Sequence, residues 1–282
     1  MRNPLKSRPR KARLALTGTA VAAMIAIPSA VAAASTTSPA HLATASSPAP
    51  KATIVIEHGA WVDGSSFDGV VTRLQRDGYT VDVPPNPLRG PGSDSAYLAS
   101  YLASVSGPVV LVGHSYGGFV ITDAATGDKN VKALVYVDAY IPALGDTINS
   151  INGQFPGSQI TPTTLKFVAS PGGVTDAYVN PAEFRGIFAN DLTASQAAEL
   201  AATQEPIAAS ALTEASTAPA WTTIPSWDII GTADHAIPPA AQEFMAARAH
   251  AKVTKVNASH LSMISHPGTV ASVIEQAARA TS

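Results

Sequence analysis

Three side chains of the types that perform nucleophilic catalysis follow separate apolar runs of the sequence. Ser115 lies in GHSYGG, Asp234 in IIGTADHAIPP and His260 in VNASHLSMISHP. A serine hydroxyl becomes an effective nucleophile when a histidine accepts its proton, and the histidine needs a carboxylate to orient it. The order serine, acid, histidine is also the one expected when a strand-to-helix turn of a parallel sheet presents the nucleophile. The sequence therefore predicts that Ser115, His260 and Asp234 form a catalytic triad.

Ser115 lies in a segment of the form G-x-S-x-G, with the apolar run PVVLV before it and a predicted helix after it. This pattern presents a serine hydroxyl at a sharp, strained turn between a strand and a helix. Gly113 and Gly117 let neighbouring backbone approach the turn, because glycine has no Cβ. The alternative is an ordinary glycine-rich turn that contains a hydroxyl, and the strand-turn-helix context favours the nucleophile.

Asp138 is an alternative partner for the histidine, because it also follows an apolar run, VKALVYV, and could reach the imidazole from a neighbouring strand end. The order of the motifs favours Asp234. His58 and His114 flank the predicted site, but both lie in tight turns, where we expect them to bond to loop backbone. Asp228 falls within a predicted strand and is interpreted as a structural residue.

Acyl transfer to a serine also requires N–H donors for the oxyanion that develops at the attacked carbonyl, each worth about 3–4 kcal/mol. The backbone N–H of Tyr116, directly after the candidate nucleophile, is one predicted donor. The loop EHGAW, after the first predicted strand, provides the second donor, which we assign to the N–H of Ala60. Trp61 is the alternative donor and a candidate contact for the substrate.

From residue 52 onward, short β-branched runs alternate with helical stretches, which predicts an α/β fold with a mostly parallel sheet. The strands are almost continuously apolar, as expected when helices cover both faces. Residues 140–220 contain Pro and Gly clusters and Ala-rich helical pieces but no convincing buried strand, so a helical cap is predicted there. The predicted strands are 53–57, 79–83, 108–112, 131–139, 224–231 and 251–258, and the predicted helices are 67–78, 93–105, 117–126, 238–250 and 267 to the end.

Residues 1–34 are predicted to be a secretory signal peptide. They begin with a segment that has six Lys or Arg and no acid, continue with an uncharged apolar stretch of about 14 residues, and end near small residues suited to cleavage. An uncleaved membrane anchor is the alternative, but a bilayer span needs about 20 apolar residues. Residues 35–51, rich in Ser, Thr, Pro and Ala, are predicted to be a flexible tether to a domain at 52–282. The protein is therefore expected to be secreted.

Composition excludes several classes of partner and site. Without its first 34 residues the chain has twelve Lys or Arg against twenty Asp or Glu, so nucleic acid and anionic membranes are poor partners. No stable membrane insertion is expected after signal cleavage. The absence of cysteine excludes disulfides and thiolate metal sites, and no metal or cofactor is predicted. Nothing in the sequence specifies an oligomeric state.

Four segments, HGAWVDGSSF, GHSYGG, GTADHAIPP and ASHLSMISHP, resemble in order and spacing the α/β-hydrolase superfamily. More narrowly, they resemble the compact branch that contains plant methyl-salicylate and methyl-jasmonate esterases, hydroxynitrile lyases and similar bacterial esterases. The resemblance covers about residues 52–282. It implies an α/β-hydrolase fold with a helical cap after the strand that ends near Asp138, a cofactor-free site between cap and sheet, the triad argued above, and oxyanion donors at Ala60 and Tyr116.

The expected function is hydrolysis of small or medium apolar carboxylic esters through an acyl-enzyme on Ser115, because the predicted cap is poor in charge. Lactone and thioester hydrolysis stay open, since both pass through the same intermediates. A hydroxynitrile lyase is disfavoured, because plant lyases of this branch carry a lysine directly after the histidine, where this chain has Leu261. Haloalkane dehalogenases and epoxide hydrolases are disfavoured, because their nucleophile is an aspartate. A different class of function is a non-catalytic ligand-binding module with a vestigial triad.

Overall fold

The computed structural model of the protein describes residues 51–281. The predicted signal peptide, the predicted tether up to residue 50, and Ser282 lie outside the described residues. The strands of the described part are β1 Thr53–Glu57, β2 Val81–Asp82, β3 Val109–His114, β4 Val131–Val137, β5 Leu165–Ser170, β6 Val174–Val179, β7 Ile207–Ala208, β8 Ser226–Gly231 and β9 Lys252–Val256. Its α-helices are α1 Asp68–Arg76, α2 Pro91–Leu102, α3 Gly117–Ala124, α4 Ile148–Gln154, α5 Pro181–Phe188, α6 Ala194–Thr203, α7 Pro239–Arg248, α8 Ser262–Ser265 and α9 Pro267–Ala280. Within residues 51–281, none of these helices has the length and hydropathy that crossing a membrane requires.

Six strands form a central sheet in the order β2-β1-β3-β4-β8-β9, and every pairing between neighbours is parallel. All six residues of β3 are buried, because β1 and β4 flank it and α3 and α9 pack against it. β9 lies at the edge of the sheet and is largely exposed or half-buried. These features confirm the predicted parallel sheet flanked by helices.

The topology brings three loops to one edge of the sheet. β3, β4, β8 and β9 are successive neighbours and run in the same direction, so their carboxyl ends lie side by side. Ser115, Asp234 and His260 each come shortly after one of these strands. Loops at the carboxyl edge of a parallel sheet are the usual place for a site in this class of fold.

The predicted strands and helices of the central sheet are present, and their ends differ from the predicted ones by at most three residues. The strand predicted for residues 131–139 ends at Val137 because Asp138 has a left-handed backbone, with φ of 45°, that an extended strand does not continue. The short helix α8, directly after His260, was not predicted.

The predicted cap lies between β4 and β8, but it is not purely helical. It contains α4, α5 and α6 together with an antiparallel sheet in the order β5-β6-β7. The prediction that this segment has no buried strand is therefore wrong, since Ala177 of β6 and Ile207 of β7 are fully buried. The hairpin turn between β5 and β6 uses Gly172 and Gly173, both with φ of 80°, which glycine adopts without strain. The sequence pattern concealed β5 because only Leu165 of its residues is buried, so the strand has no continuous apolar run.

Glu57 is a carboxyl group buried beneath the site without a hydrogen-bond partner. It is the last residue of β1, its side chain is inaccessible to solvent, and neither carboxyl oxygen meets a donor within residues 51–281. Burial and, second, the negative charge of Asp94 raise the pKa of Glu57 well above its usual value. Glu57 is therefore neutral in the folded protein at pH values where the unfolded chain carries it ionised.

We expect Glu57→Gln to stabilise the protein at alkaline pH. Folding raises the pKa of Glu57, so the folded protein must keep this carboxyl protonated at pH values where the unfolded chain would lose the proton. The contribution of Glu57 to stability is therefore fully present below the unfolded-chain pKa of 4.5 and is lost as the pH rises toward the folded-state pKa. Glutamine does not titrate, so the increase in the free energy of unfolding over wild type should be larger at about pH 8 than at about pH 5. Urea unfolding at both pH values measures this difference.

Glu199→Gln is the control for this measurement, since Glu199 lies on the exposed face of α6. It should leave the pH dependence of stability unchanged. The same pH-dependent gain in both variants would contradict the account.

Candidate active site

Ser115 lies between the end of β3 at His114 and the start of α3 at Gly117, in a left-handed backbone conformation with φ of 51°. A non-glycine residue in this conformation carries strain of about 1–3 kcal/mol, which persists only where the surrounding structure imposes it. A Cβ at Gly117 would lie 2.5 Å from the carbonyl oxygen of Glu57, and a Cβ at Gly59 would lie 2.7 Å from the Cβ of Ser115. Glycine at these positions lets the turn pack closely on the loop after β1, which holds Ser115 in place.

The structure brings Ser115, His260 and Asp234 together in one chain of hydrogen bonds. Nε2 of His260 lies 2.8 Å from Oγ of Ser115, and Nδ1 of His260 lies 2.7 Å from Oδ2 of Asp234. Asp234 follows β8 by three residues and His260 follows β9 by four, so both arrive from neighbouring strand ends. All three side chains are buried. These are the contacts that a serine nucleophile, its general base and an orienting carboxylate need.

Asp234 accepts hydrogen bonds at both carboxylate oxygens. Oδ1 accepts from the backbone N–H groups of Ala236 and Ile237 at 2.7 and 2.9 Å, and Oδ2 accepts from the side-chain amide of Gln242 at 2.8 Å. With the contact to His260, the two oxygens take part in four bonds, which matches an ionised carboxylate because that form only accepts. Sequence reasoning missed Gln242, whose only signal is its place in the first turn of the helix after the acid.

Burial determines the protonation of His260. Burial raises the pKa of Asp234 above its usual value, and hydrogen bonds from the surrounding loop and helix oppose part of that rise. Burial lowers the pKa of His260 to about 3, so the imidazole is neutral near pH 7. The hydrogen-bond network then assigns the imidazole proton to Nδ1, which donates to Asp234, and leaves Nε2 as the acceptor for the hydroxyl of Ser115.

His114 and His58 bond to loop backbone, as the sequence predicts. Nε2 of His114 donates to the carbonyl oxygen of His260 at 3.0 Å, and the centres of the two rings lie 4.9 Å apart. Nδ1 of His58 donates to the carbonyl oxygen of Gly59 at 3.0 Å, and its Nε2 accepts from the N–H of Asn86 at 3.1 Å. The two histidines therefore support the loops on either side of Ser115.

Asp138, the alternative acid, bonds to backbone groups instead of the imidazole. Its Oδ1 accepts from the N–H of Gly231 at 2.8 Å, and its Oδ2 accepts from the N–H of Ser262 at 3.0 Å. Gly231 precedes the loop of Asp234, and Ser262 follows His260 by two residues. Asp138 thus ties together the two loops that carry the acid and the base.

The backbone N–H groups of Ala60 and Tyr116 are available to an oxyanion. Neither N–H donates to an acceptor within residues 51–281, and both residues line the cavity above Ser115. Trp61, the alternative donor, is unsuitable, because its N–H already donates to the carbonyl oxygen of Glu205 at 2.9 Å. The geometry therefore favours the predicted pair of donors and leaves Trp61 as a wall of the cavity.

The cavity above Ser115 is small and apolar. Its free volume is about 10 Å³ in this conformation, enough for about one water molecule. No lining side chain within residues 51–281 is charged, and in the same part of the chain no group of three His, Asp or Glu could hold a metal ion. The principal walls are formed by Trp61, Tyr140, Ile148, Ile207, Leu212 and Ile237.

Known proteins resemble this chain in sequence and in fold. A family model described as "Alpha/beta hydrolase family" matches residues 54–273. A carbendazim hydrolyzing esterase of a Nocardioides species is 32% identical over 113 residues, which are 36% of this chain and 47% of that protein. A pyrethroid hydrolase of Sphingobium wenxiniae is 34% identical over 107 residues, or 33% of this chain and 38% of that protein. The chain thus matches less than half the length of these two relatives.

The fold is also similar to that of a solved structure. The crystal structure of polyneuridine aldehyde esterase matches with a TM-score of 0.68 and 18% identity, over 80% of this chain and 99% of that one. At this level of identity the likeness is one of fold.

We expect the candidate base to work well below neutral pH. Because burial lowers the pKa of His260, the imidazole stays neutral, and able to accept the serine proton, where an exposed histidine is protonated. The acid limb of kcat/KM for an ester should therefore have its midpoint below about pH 6. A pH–rate profile, with the fold checked by circular dichroism at each pH, measures this midpoint. A midpoint at or above about pH 7 would contradict a neutral, buried base.

We expect Asp234→Asn to lower kcat by about 10⁴-fold while the protein stays folded, because an amide at this position holds the imidazole in the wrong tautomer. Asp138→Asn is the matched control. It should lower kcat by about tenfold or less, since Asp138 bonds to backbone N–H groups and not to the imidazole. Steady-state kinetics of both variants test the assignment, and the reverse ranking would assign the acid to Asp138.

Proposed function

This chain belongs to the alpha/beta hydrolase family, and we propose that it is a serine hydrolase that cleaves carboxylic esters through an acyl-enzyme on Ser115. The observation that carries the proposal is the hydrogen-bond chain from Ser115 through His260 to Asp234, at 2.8 and 2.7 Å. The named activities of the two curated relatives, an esterase and a hydrolase, support the same reaction class.

The first half-reaction forms the acyl-enzyme. Oγ of Ser115 attacks the carbonyl carbon of the ester while Nε2 of His260 accepts the hydroxyl proton. The carbonyl oxygen becomes an oxyanion, which the N–H groups of Ala60 and Tyr116 stabilise, and Asp234 stabilises the imidazolium. When the tetrahedral intermediate collapses, His260 gives its proton to the leaving alkoxide, and the alcohol departs.

The second half-reaction releases the acid. Water takes the place of the alcohol, and Nε2 of His260 accepts a proton from it as its oxygen attacks the acyl carbon. The same two N–H groups stabilise the second oxyanion. Collapse of this intermediate returns the proton to Oγ of Ser115 and frees the carboxylic acid. The protein's own side chains supply every proton transfer, so the reaction needs no cofactor.

The walls of the cavity favour a small or medium apolar ester. Ile148, Ile207 and Leu212 face the space above Ser115, and the lining within residues 51–281 presents no charge to hold an ionic substrate. Apolar walls with a few placed polar groups are typical of sites that bind uncharged organic molecules. Lactones and thioesters pass through the same acyl-enzyme and oxyanion, so they belong to the substrate classes to be screened.

We further propose that the protein is secreted. The basic start, apolar centre and small-residue end of residues 1–34, followed by the tether at 35–51, support export. The acidic balance of the chain that follows supports a protein that acts on a small molecule and binds neither nucleic acid nor anionic membrane.

Two other functions are less well supported. A hydroxynitrile lyase needs a cation near the departing cyanide, and the residue after His260 is Leu261, which is apolar and fully buried. A non-catalytic binding module would not need an aligned triad. In this chain Oγ of Ser115 lies within hydrogen-bond distance of the neutral imidazole of His260, which favours a catalytic role.

We expect wild type to hydrolyse p-nitrophenyl esters of short and medium acyl chains and Ser115→Ala to lose this activity by at least about 10³-fold, because the nucleophile is absent. Release of p-nitrophenol across a series of acyl lengths measures both the activity and the acyl preference. Benzaldehyde release from mandelonitrile is followed on the same preparation.

Equal hydrolysis by wild type and Ser115→Ala would contradict the proposed function. Mandelonitrile cleavage comparable to the best ester, and abolished by Ser115→Ala, would establish the lyase instead.

A further inference from the structure

The cap closes over the triad in this structure. The side chains of Ser115 and His260 are buried, and the space above Ser115 holds about one water molecule. An ester that enters therefore displaces the cap, or side chains of the cap, and the cap must close again around it. The contacts that the closed cap makes with the loops of the active site are therefore present when the reaction takes place.

Trp61 joins the loop after β1, residues 58–61, to the cap; this loop carries the candidate donor Ala60 and is called the oxyanion loop. Its backbone N–H donates to the carbonyl oxygen of Glu205 at 2.9 Å, and its indole N–H donates to the carbonyl oxygen of Ala177 at 2.8 Å. Both acceptors belong to the cap, Ala177 within β6 and Glu205 just before β7. Trp61 also has a left-handed backbone, with φ of 63°, and directly follows the candidate donor Ala60. The cap thus supplies the partners that hold this strained residue.

Phe188 joins the cap to the general base. It is the last residue of α5, and its side chain is fully buried. Its ring packs edge-on to the imidazole of His260, with ring centres 5.0 Å apart and planes at 78°. The same ring lies 5.6 Å from the indole of Trp61, with planes at 75°. One side chain of the cap therefore contacts both the general base, His260, and Trp61, the neighbour of the candidate oxyanion donor.

We propose that Phe188 is a positioning residue. When the cap closes, the ring of Phe188 positions both the general base His260 and the oxyanion loop. The proposal rests on the ester hydrolysis proposed for Ser115. It differs from a role of the cap in substrate binding, because Phe188 is not among the described residues that line the cavity. Loss of its ring should therefore affect turnover and the properties of the base more than substrate affinity.

Phe188 also keeps water away from the imidazole of His260. The titratable groups around this imidazole are Asp234 at Nδ1 and His114, at 4.9 Å between ring centres. Two further carboxylates accept hydrogen bonds from residues close to His260 in the chain, Asp138 from the N–H of Ser262 and Asp191 from the hydroxyl of Ser259. His114 is neutral, because burial lowers its pKa well below the usual value. Removing the ring of Phe188 admits water without changing any of these charges, so the pKa of His260 should rise toward its usual value of 6.5.

Phe188→Leu tests the proposal, because leucine is apolar but smaller than phenylalanine, and it lacks the ring edge that packs on the imidazole and excludes water from it. With p-nitrophenyl acetate, kcat should fall about tenfold and KM should change less than about twofold, since a small misplacement of the base affects turnover. The acid limb of kcat/KM should move up by about one pH unit.

Phe155→Leu is the matched control. Phe155 is also a ring of the cap, and it packs against Phe244 of α7 at 5.1 Å between ring centres, outside the triad. This variant should leave kcat and the acid limb unchanged. An equal loss of kcat in both variants would show that any loosening of the cap is sufficient and would overturn the specific role of Phe188.

NMR titration of the Nδ1–H proton of His260 reads the pKa of the imidazole without a substrate. A rise in Phe188→Leu but not in Phe155→Leu supports the proposal, and an unchanged imidazole pKa in folded Phe188→Leu overturns it. If wild type hydrolyses no ester, the proposed function fails, and the NMR titration still decides whether Phe188 acts on His260.

Trp61→Phe tests the same linkage from the oxyanion loop if Phe188→Leu does not fold. Phenylalanine keeps an aromatic ring beside Phe188 but removes the indole N–H that bonds to Ala177, so kcat should fall about fivefold. Trp221→Phe is its control, because it removes an indole bond to the carbonyl oxygen of Pro142 at 2.7 Å outside the cavity. Equal kcat values in the two variants would overturn the proposal.

Discussion

The left-handed backbone of Ser115 is the constraint on which the rest of the site depends. With φ of 51°, this residue lies between β3 and α3 and directs its hydroxyl toward the imidazole at 2.8 Å. It is followed by Tyr116, whose N–H has no acceptor within residues 51–281 and is available to an oxyanion. The conformation carries strain of about 1–3 kcal/mol, so it must be imposed by its surroundings. The close approach of the loop after β1, possible only with glycine at positions 59 and 117, imposes it. Nucleophile and oxyanion donor therefore come from a single turn.

Burial gives this geometry its chemical properties. It keeps the imidazole of His260 neutral and therefore able to accept the serine proton. Burial also raises the pKa of Asp234, and the four hydrogen bonds at its carboxylate oppose this by favouring the ionised form. Charge that develops on the imidazole and on the oxyanion is stabilised more strongly in such a dry site than in water. The cap maintains this exclusion of water, because Phe188 packs on the imidazole and the cap carbonyls hold Trp61. The same burial leaves Glu57 without a hydrogen-bond partner in the described part of the chain.

The sequence predicts those parts of the molecule that are encoded locally. β1, β3 and β8 are apolar runs with turn residues after them, and Ser115 lies in a motif whose strand-turn-helix context can be recognised without coordinates. The hairpin of β5 and β6 was missed, because its exposed strand has no apolar run and only Gly172 and Gly173 mark the turn. Gln242 lies eight residues after Asp234, and only its place in the first turn of α7 marks it in the sequence. The roles of Phe188 and of the bond from Trp61 to Glu205 could not be predicted, because each depends on contacts between segments distant in the sequence. Such contacts exist only once the cap is folded over the sheet.

The central claim is that burial and a strained turn make the hydroxyl of Ser115 a nucleophile activated by His260. Labelling of the purified protein with a fluorophosphonate, followed by mass spectrometry of the peptide that contains GHSYGG, tests this claim most directly, since the reagent reacts with an activated serine. The account predicts one phosphonyl group, located on Ser115, and at least about a 100-fold slower reaction in His260→Ala. Labelling at another residue, or labelling of Ser115 at the same rate without His260, would contradict it.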